Sequence, residues 1–364
     1  MSDWHRTTWG EVIQLQRGFD ITKDSQVLSG EVPVVSSGGV GSFHDKAMSD
    51  GPGVAIGRKG TLGRVHYLPG PFWPHDTTLW VRDFKGNNPR FVYYALKSMD
   101  TAAMNVGSAS PTLNRNDFHP LAVTWPSARS EQERVVEVLG ALDDKIAANA
   151  MLVAAADEVA GLMCQAMTDV VSESRPLSSL AQFVNGKAFT KDATGTGRVV
   201  IRIAELNSGP GASTVYNDLD VAEQYLARPG DLLFAWSGSL TVQRWFRDEG
   251  IVNQHIFKVI PTDAPLWVVN GALRAKLAEF KGIAADKATT MGHIQRHHLD
   301  EPVLVPDDEG IAGADAVMQA LWKRALQAER ESLKLAELRD TLLPELMSGR
   351  LRVKDAERIV EGEV

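Results

Sequence analysis

Between Val135 and Val170, small or apolar residues and one Asn recur at alternating steps of four and three: Val135, Leu139, Leu142, Ile146, Asn149, Val153, Ala156, Ala160, Met163, Met167 and Val170. A 3.5-residue repeat of that length predicts a helix paired along one narrow seam with another helix, since a helix lying on a globular core shows a wider apolar face. Ser130 with Glu133 supplies a capping box at its start. Asn149 in the seam costs stability but fixes register, and the alanines after it let a partner backbone come close. A second seam, Val317, Leu321, Ala325, Ala328, Ser332, Leu335, Leu338 and Leu342, ends just before Pro344 and offers that partner. An antiparallel pair of about 40 and 30 residues would span roughly 45–60 Å at 1.5 Å per residue. The alternative is two separate helices, each packed on its neighbouring domain.

Composition divides at the same places. Residues 1–126 carry 12 basic and 11 acidic side chains, 127–175 carry 4 and 9, 176–306 carry 13 and 13, and 307–364 carry 9 and 13. The net charge of −8 therefore belongs to the helical segments, and all nine histidines and every tryptophan except Trp322 to the other two. At 364 residues the chain is too long for one ordinary core. One thiol, Cys164, excludes a disulfide framework or thiolate metal cluster. The start, Met1 to Gly10, is polar where a signal peptide needs an apolar stretch, and no apolar run approaches the roughly 18 residues of a membrane span. A soluble cytoplasmic protein is expected.

The two neutral segments read as α+β domains with short strands at Val32–Val35, Gly53–Ile56, Thr78–Val81, Val199–Ile203, Asp231–Ala235 and Ile256–Ile260, each bounded by turn formers. The second also echoes the first. Gly18-Phe19 before Thr22-Lys23-Asp24 matches Gly186, Phe189 and Thr190-Lys191-Asp192, and the strand leading to Lys59-Gly60-Thr61-Leu62 matches the one leading to Ser237-Gly238-Ser239-Leu240. His75-Asp76-Thr77-Thr78 answers Asn253-Gln254-His255-Ile256, and Pro120 with Trp125-Pro126 answers Pro302 with Val305-Pro306. A tandem of domain, helix, domain, helix follows. Two similar modules set apart by a rigid helix pair can each read part of one extended ligand, and duplex DNA suits such a reader.

At this point the chain resembles the specificity (S) subunits of type I restriction-modification systems over nearly its whole length. The resemblance is carried by Trp9-Gly10-Glu11-Val12, Pro33-Val34-Val35-Ser36-Ser37-Gly38-Gly39-Val40, Gly57-Arg58-Lys59-Gly60-Thr61-Leu62-Gly63, Phe91-Val92-Tyr93-Tyr94-Ala95-Leu96 and Gln132-Glu133-Arg134. Its most specific part is the run from Leu338-Arg339-Asp340-Thr341-Leu342-Leu343-Pro344 to Ser348-Gly349-Arg350-Leu351-Arg352-Val353. The resemblance implies two target-recognition domains, 1–126 and 176–306, separated by two long antiparallel coiled-coil helices, 127–175 and 307–349, with a tail at 350–364. Each domain would read one half of a split DNA target, with the helices as a ruler. The resemblance further implies two methyltransferase subunits and motor-nuclease subunits as partners. These would use S-adenosylmethionine, ATP and Mg, and this chain itself would hold no cofactor.

The residues fit a non-catalytic subunit independently. There is no phosphate loop, Gly38-Gly39-Val40-Gly41 lacks dinucleotide-site spacing, and Asn88-Pro89 continues as Arg90-Phe91 where an adenine methyltransferase would carry a second proline and an aromatic. His293, His297 and His298 include an i, i+4 pair without a third ligand at usable spacing. Neither Ser36, Ser37 nor Cys164 has an identifiable His and Asp arrangement.

Base edges are read by Arg, Asn and Gln, and phosphates by Lys, Ser, Thr and backbone N–H groups. In the first domain this singles out Ser36, Ser37, Arg58, Lys59, Thr61, His75, Ser108, Ser110, Thr112, Asn114 and Arg115. In the second it singles out Arg202, Trp236, Ser237, Ser239, Asn253, Gln254, His255, Thr289, Thr290, His293, Gln295 and Arg296. Ser and Thr of such loops can instead satisfy their own turns, and Arg115 beside Asp117 can serve a helix end. Trp73, Trp80 and Trp267 lie in apolar runs and read as core. Two other functions compete: an orphan or degenerate assembly scaffold that binds methyltransferase subunits without reading DNA, and a stand-alone DNA-processing enzyme. Polar loops retained in both repeats argue against the first, and the missing motifs against the second.

Overall fold

The computed structural model describes residues 4–27, 30–99, 112–286 and 292–363. The chain folds as two compact units, Met1–Lys145 with Leu335–Val364, and Ile146–Lys334. The architecture is α+β: each unit has its own sheets and holds a stretch of both long helices, Arg129–Val170 and Asp308–Met347.

Strands form at all six expected places, but the one expected over Val199–Ile203 is Arg198–Ile201, because Arg202 caps a helix that begins at Ile203. In the first unit they build an antiparallel sheet in the order Gln14–Arg17, Thr78–Asp83, Gly53–Gly57, Val65–Leu68. Gly53–Gly57 is buried throughout, as a central strand covered on both faces should be. The second unit repeats the order with Ala181–Asn185, Ile256–Pro261, Leu232–Ala235 and Thr241–Arg244. Each unit has a second sheet that includes a parallel pair, Val32–Ser36 with Trp73–Pro74 in a three-stranded sheet and Arg198–Ile201 with Gly250–Val252 in a four-stranded one. Each fold closes on an antiparallel strand pair, Trp4–Thr8 with Ala122–Pro126 and Ser172–Pro176 with Pro302–Pro306. The register makes Ala122 the counterpart of Pro302, two residues beyond the Pro120 that the sequence comparison pairs with it.

Two glycines sit at matching close approaches in the two copies. A Cβ at Gly18 would overlap the carbonyl oxygen of His75, and one at Gly186 that of Asn253. Only glycine lets the chain cross there. The copies differ in their covering helix, Pro89–Lys97 in the first and Leu266–Asp286 in the second. Asn88 caps the former by accepting the N–H groups of Arg90 and Phe91. The terminal segment carries a helix, Val353–Glu363, that buries Val353 and Ala356.

The long helices pair through the seam residues. In the second unit Asn149 is buried and its Nδ2 donates to Glu331 Oε2 at 2.9 Å, while Met167 lies against Gly310, so the helices run antiparallel. Ala156, Ala325 and Ala328 are buried between them as close approach requires. The seam ends are corrected: Val170 is 83% exposed and Val317 50%, while Cys164, Ala314 and Met318 take the buried places. The first helix begins at Arg129, which puts Ser130 inside its first turn rather than at its cap. The second runs through Pro344, which sits within one turn of its end, where the missing N–H removes a single bond. An 18-residue stretch of the first helix reaches a mean hydropathy of 1.4, so by length and composition it could cross a membrane, contrary to expectation. Its alanines raise that average, and its polar Asn149 and Asp157 both bond within the unit.

In each unit polar and charged side chains also bond to the long helices. In the first, Tyr94 Oη donates to Asp143 Oδ2 at 2.7 Å, Arg339 donates to Asp143 Oδ1 at 2.7 Å, and Arg90 forks onto Asp144. Burial and the Asp143 bond hold the Tyr94 phenol well above its usual range. In the second, Arg244 joins Asp157 and Glu329.

Candidate nucleic-acid interface

In the first unit three segments converge on the loop after Gly53–Gly57. Arg58 and Lys59 donate their backbone N–H groups to Thr77 O at 2.9 and 3.2 Å, Leu113 N–H donates to Arg58 O at 3.0 Å, and Ser37 N–H donates to Thr77 Oγ1 at 3.2 Å. Gly60, at φ +77°, makes the left-handed turn that lets the loop reverse. The sequence candidates Ser36, Ser37, Arg58, Lys59, Thr61, His75, Thr112, Asn114 and Arg115 are thus carried on neighbouring segments.

Their side chains are held differently. Ser36 Oγ donates to Gly39 O within its own hairpin turn, and Asn114 caps the short helix Arg115–Phe118 by accepting from Asn116 N. Ser37 is buried beside the Gly60 loop, with its carbonyl accepting from His66 Nε2 at 3.3 Å. Burial lowers the His66 pKa. Lys59, Thr61, Thr112 and Arg115 are exposed. Arg58 Nη1 donates to Asp76 O, while its buried Nε has no hydrogen-bond partner among the described residues. Two residues missed by sequence reasoning complete this edge. Asp76 Oδ2 accepts from Arg17 Nη2 at 3.0 Å, and its other oxygen lies 3.0 Å from His75 Nδ1. A contact across 59 residues leaves no local sequence signal.

The second unit reproduces the backbone. Trp236 N–H donates to His255 O at 3.1 Å, Ile294 N–H to Trp236 O at 3.1 Å, and Asn253 N–H to Ile201 O at 3.1 Å, the last matching His75 N–H to Val35 O at 2.9 Å. Gly238 repeats the left-handed turn at φ +63°. Arg58 and Lys59 therefore correspond to Trp236 and Ser237, Thr77 to His255, Ser36 to Arg202, and Arg115 to Arg296.

The chemistry at these matched places diverges. The half-buried Trp236 ring packs against His255 and His293, with centroids at 5.2 and 6.3 Å, and its Nε1–H donates to Asn185 Oδ1 at 2.8 Å. Ser237 Oγ and His255 Nδ1 are buried without a hydrogen-bond partner among the described residues. His255 itself has φ +74°, a conformation non-glycine residues seldom adopt. Two candidates are committed to the fold. Asn253 is buried with its Oδ1 accepting from Phe189 N at 3.1 Å, and Arg202 is held by Glu205 and by Ser213 O. Burial would raise the Glu205 pKa, but bonds from Arg202 and Thr214 outweigh it and lower it. Gln254 and Ser239 are exposed, as are His293, Gln295 and Arg296. Ser108, Ser110, Thr289 and Thr290 lie outside the described residues.

Trp80 and Trp267 are core residues, Trp73 is half-buried against His44 at 4.8 Å, and His298 Nδ1 accepts from Gln295 N. No group of three potential ligands gathers for a metal ion among the described residues.

Residues 1–154 match the family model for the type I restriction modification DNA specificity domain. The whole chain shares the fold of the type I restriction-modification S subunit from M. genitalium, with a TM-score of 0.63 at 17% identity over 95% of this chain and 96% of that one. The HsdS subunit from Thermoanaerobacter tengcongensis aligns over 96% of this chain and 97% of its own at 17% identity, with a TM-score of 0.35. No curated protein is similar to the chain at a significant level.

Proposed function

We propose that this chain, with a DNA specificity domain at its start and the fold of an S subunit throughout, is the sequence-specificity subunit of a type I restriction-modification enzyme. Residues 1–126 and 176–306 each read one half of a bipartite duplex target, and the long helices set the distance between the halves. The chain is not itself the catalyst. It directs two methyltransferase subunits and the restriction-translocase subunits, which bring S-adenosylmethionine, ATP and Mg, and it works in the cytoplasm.

One observation carries this reading: the two units hold the same loop on the same backbone bonds but place different side chains on it. Arg58 and Lys59 stand where the second unit has Trp236 and Ser237. A duplicated scaffold with divergent tips suits a reader of two unlike half-sites, because phosphate contacts position a protein while base-edge contacts specify sequence. The exposed Arg115 and Arg296, alike in both units, suit the positioning role. Single-molecule methylome sequencing of a host expressing the chain with its methyltransferase partner tests the proposal. A split motif with methylated adenine in both halves is expected, and a continuous motif or none would refute it.

A further inference from the structure

The strand Thr241–Arg244 pairs with Leu232–Ala235 to make a hairpin whose connection, Trp236–Leu240, is the second unit's reading loop. Arg244 lies at the opposite end, roughly 10 Å along the strand from Thr241 at about 3.3 Å per residue. Its side chain is 3% exposed and shares the strand's core-facing side with the buried Val242. A charge on a core face needs partners, and the two long helices supply them. Arg244 Nε donates to Glu329 Oε2 at 2.7 Å, and Nη2 to Oε1 at 3.2 Å. Nη1 and Nη2 reach the Asp157 carboxylate at 3.3 and 3.4 Å. The guanidinium also lies over the Trp322 ring, 4.5 Å from its centroid.

One side chain therefore grips both helices, and it belongs to the strand that carries the reading loop. The first unit solves the same problem with other residues. Strand register makes Tyr67 the counterpart of Arg244, because Val54 pairs Tyr67 as Leu232 pairs Arg244. Arg90 lies over the Tyr67 ring at 5.9 Å and forks onto Asp144 of the first helix. In both units the far end of the reading hairpin is thus tied to a helix through an arginine and a carboxylate. A shared arrangement built from different residues is what a common mechanical demand produces.

We propose that Arg244 is a positioning residue that fixes the second unit's reading hairpin on the helix pair, so that the half-site is met at one distance and phase only. The proposal rests on the reading of Trp236–Leu240 as a DNA contact. A fork held at five contacts on two helices resists rotation of the hairpin in a way that apolar packing, which is not directional, does not.

The test compares the native complex with one carrying Arg244→Met and Glu329→Gln together, which removes the clamp without leaving Glu329 charged and buried, and with one carrying Arg244→Lys. Each is expressed with the methyltransferase partner, checked for assembly, and read by methylome sequencing. In the double variant, methylation at sites whose spacer is one base pair longer or shorter should rise about tenfold relative to native, a loosening worth about 1.4 kcal/mol, with both half-site sequences retained. Arg244→Lys, which keeps charge but loses the fork, should fall between. Unchanged spacing in either assembled variant, or loss of all methylation from one that assembles, would overturn the proposal. Trp236→Ala in the same assay separates the two ideas: a motif it leaves untouched removes the reading loop itself, whatever Arg244 does.

Discussion

The first unit's loop edge is ionic, with Arg17, His75 and Arg58 gathered around Asp76 and Lys59 exposed beside them. The matching edge of the second unit is aromatic at its tip, with Trp236 against His255 and His293 and a serine in place of the lysine. Both edges hang on the same hydrogen-bonded frame. The frame is evidently what duplication preserved, and the side chains are what diverged, so the two units should differ in the physics of binding as well as in the bases they prefer. An ionic edge binds by counterion release and weakens with salt, whereas stacking and neutral hydrogen bonds depend on it little.

The largest effect should come from Trp236→Ala. Losing an aromatic contact costs about 1–3 kcal/mol, or roughly fivefold to 150-fold in affinity. Selection at one half-site should relax while the other stays sharp; equal relaxation of both would erase the division of labour. Next, Arg58→Ala with Lys59→Ala should weaken binding of the assembled complex and reduce the slope of log affinity against log salt by up to about 1.8. If Trp236→Ala changes that slope as much, the ionic and aromatic edges are not different in kind. Arg115→Ala and Arg296→Ala probe what the units share, and each should lower the slope by about 0.9 without altering the motif. Unequal losses would show that the copies no longer bind the backbone alike.

The smallest effect concerns pH. Hydrogen bonds lower the Glu205 pKa in the folded chain, so its contribution to stability is present above the ordinary carboxylate range and is lost as pH falls through the depressed value. Glu205→Gln should therefore lower the melting temperature most near neutrality, and by progressively less as pH falls below the ordinary carboxylate range, where the unfolded chain's carboxyl takes up its proton before the folded one does. An equal loss across that range would mean that the Arg202 tie is not ionic. Ser36, the counterpart in the first unit, offers no such pair.

Much of the frame was legible because it is written in local patterns. The seam declared itself through spacing, the strands through short apolar runs between turn formers, and the duplication through Gly18, Gly60, Gly186 and Gly238, where backbone geometry demands glycine. The ends of the seam were not, since Val170 and Val317 keep the repeat beyond the point where a partner helix covers them. The site was legible as loops and less so as side chains. Arg202 reads as a DNA contact by residue type, although Glu205 three residues on was a visible hint of its partner. Asn253 carries a base-reading amide that the fold uses to hold Phe189. Asp76 with Arg17, and Arg244 with Asp157 and Glu329, join residues distant in the chain, and no periodicity announces such pairs.

The central claim is that two readers are held at a set distance by the helices that join them. It is tested most directly by inserting one heptad into each long helix, after Lys145 and before Leu335, and sequencing the methylome of a host that makes this chain with its methyltransferase. Both half-site sequences should persist unchanged while the unspecified spacer between them lengthens. Retention of the original spacer by the lengthened chain would contradict the account.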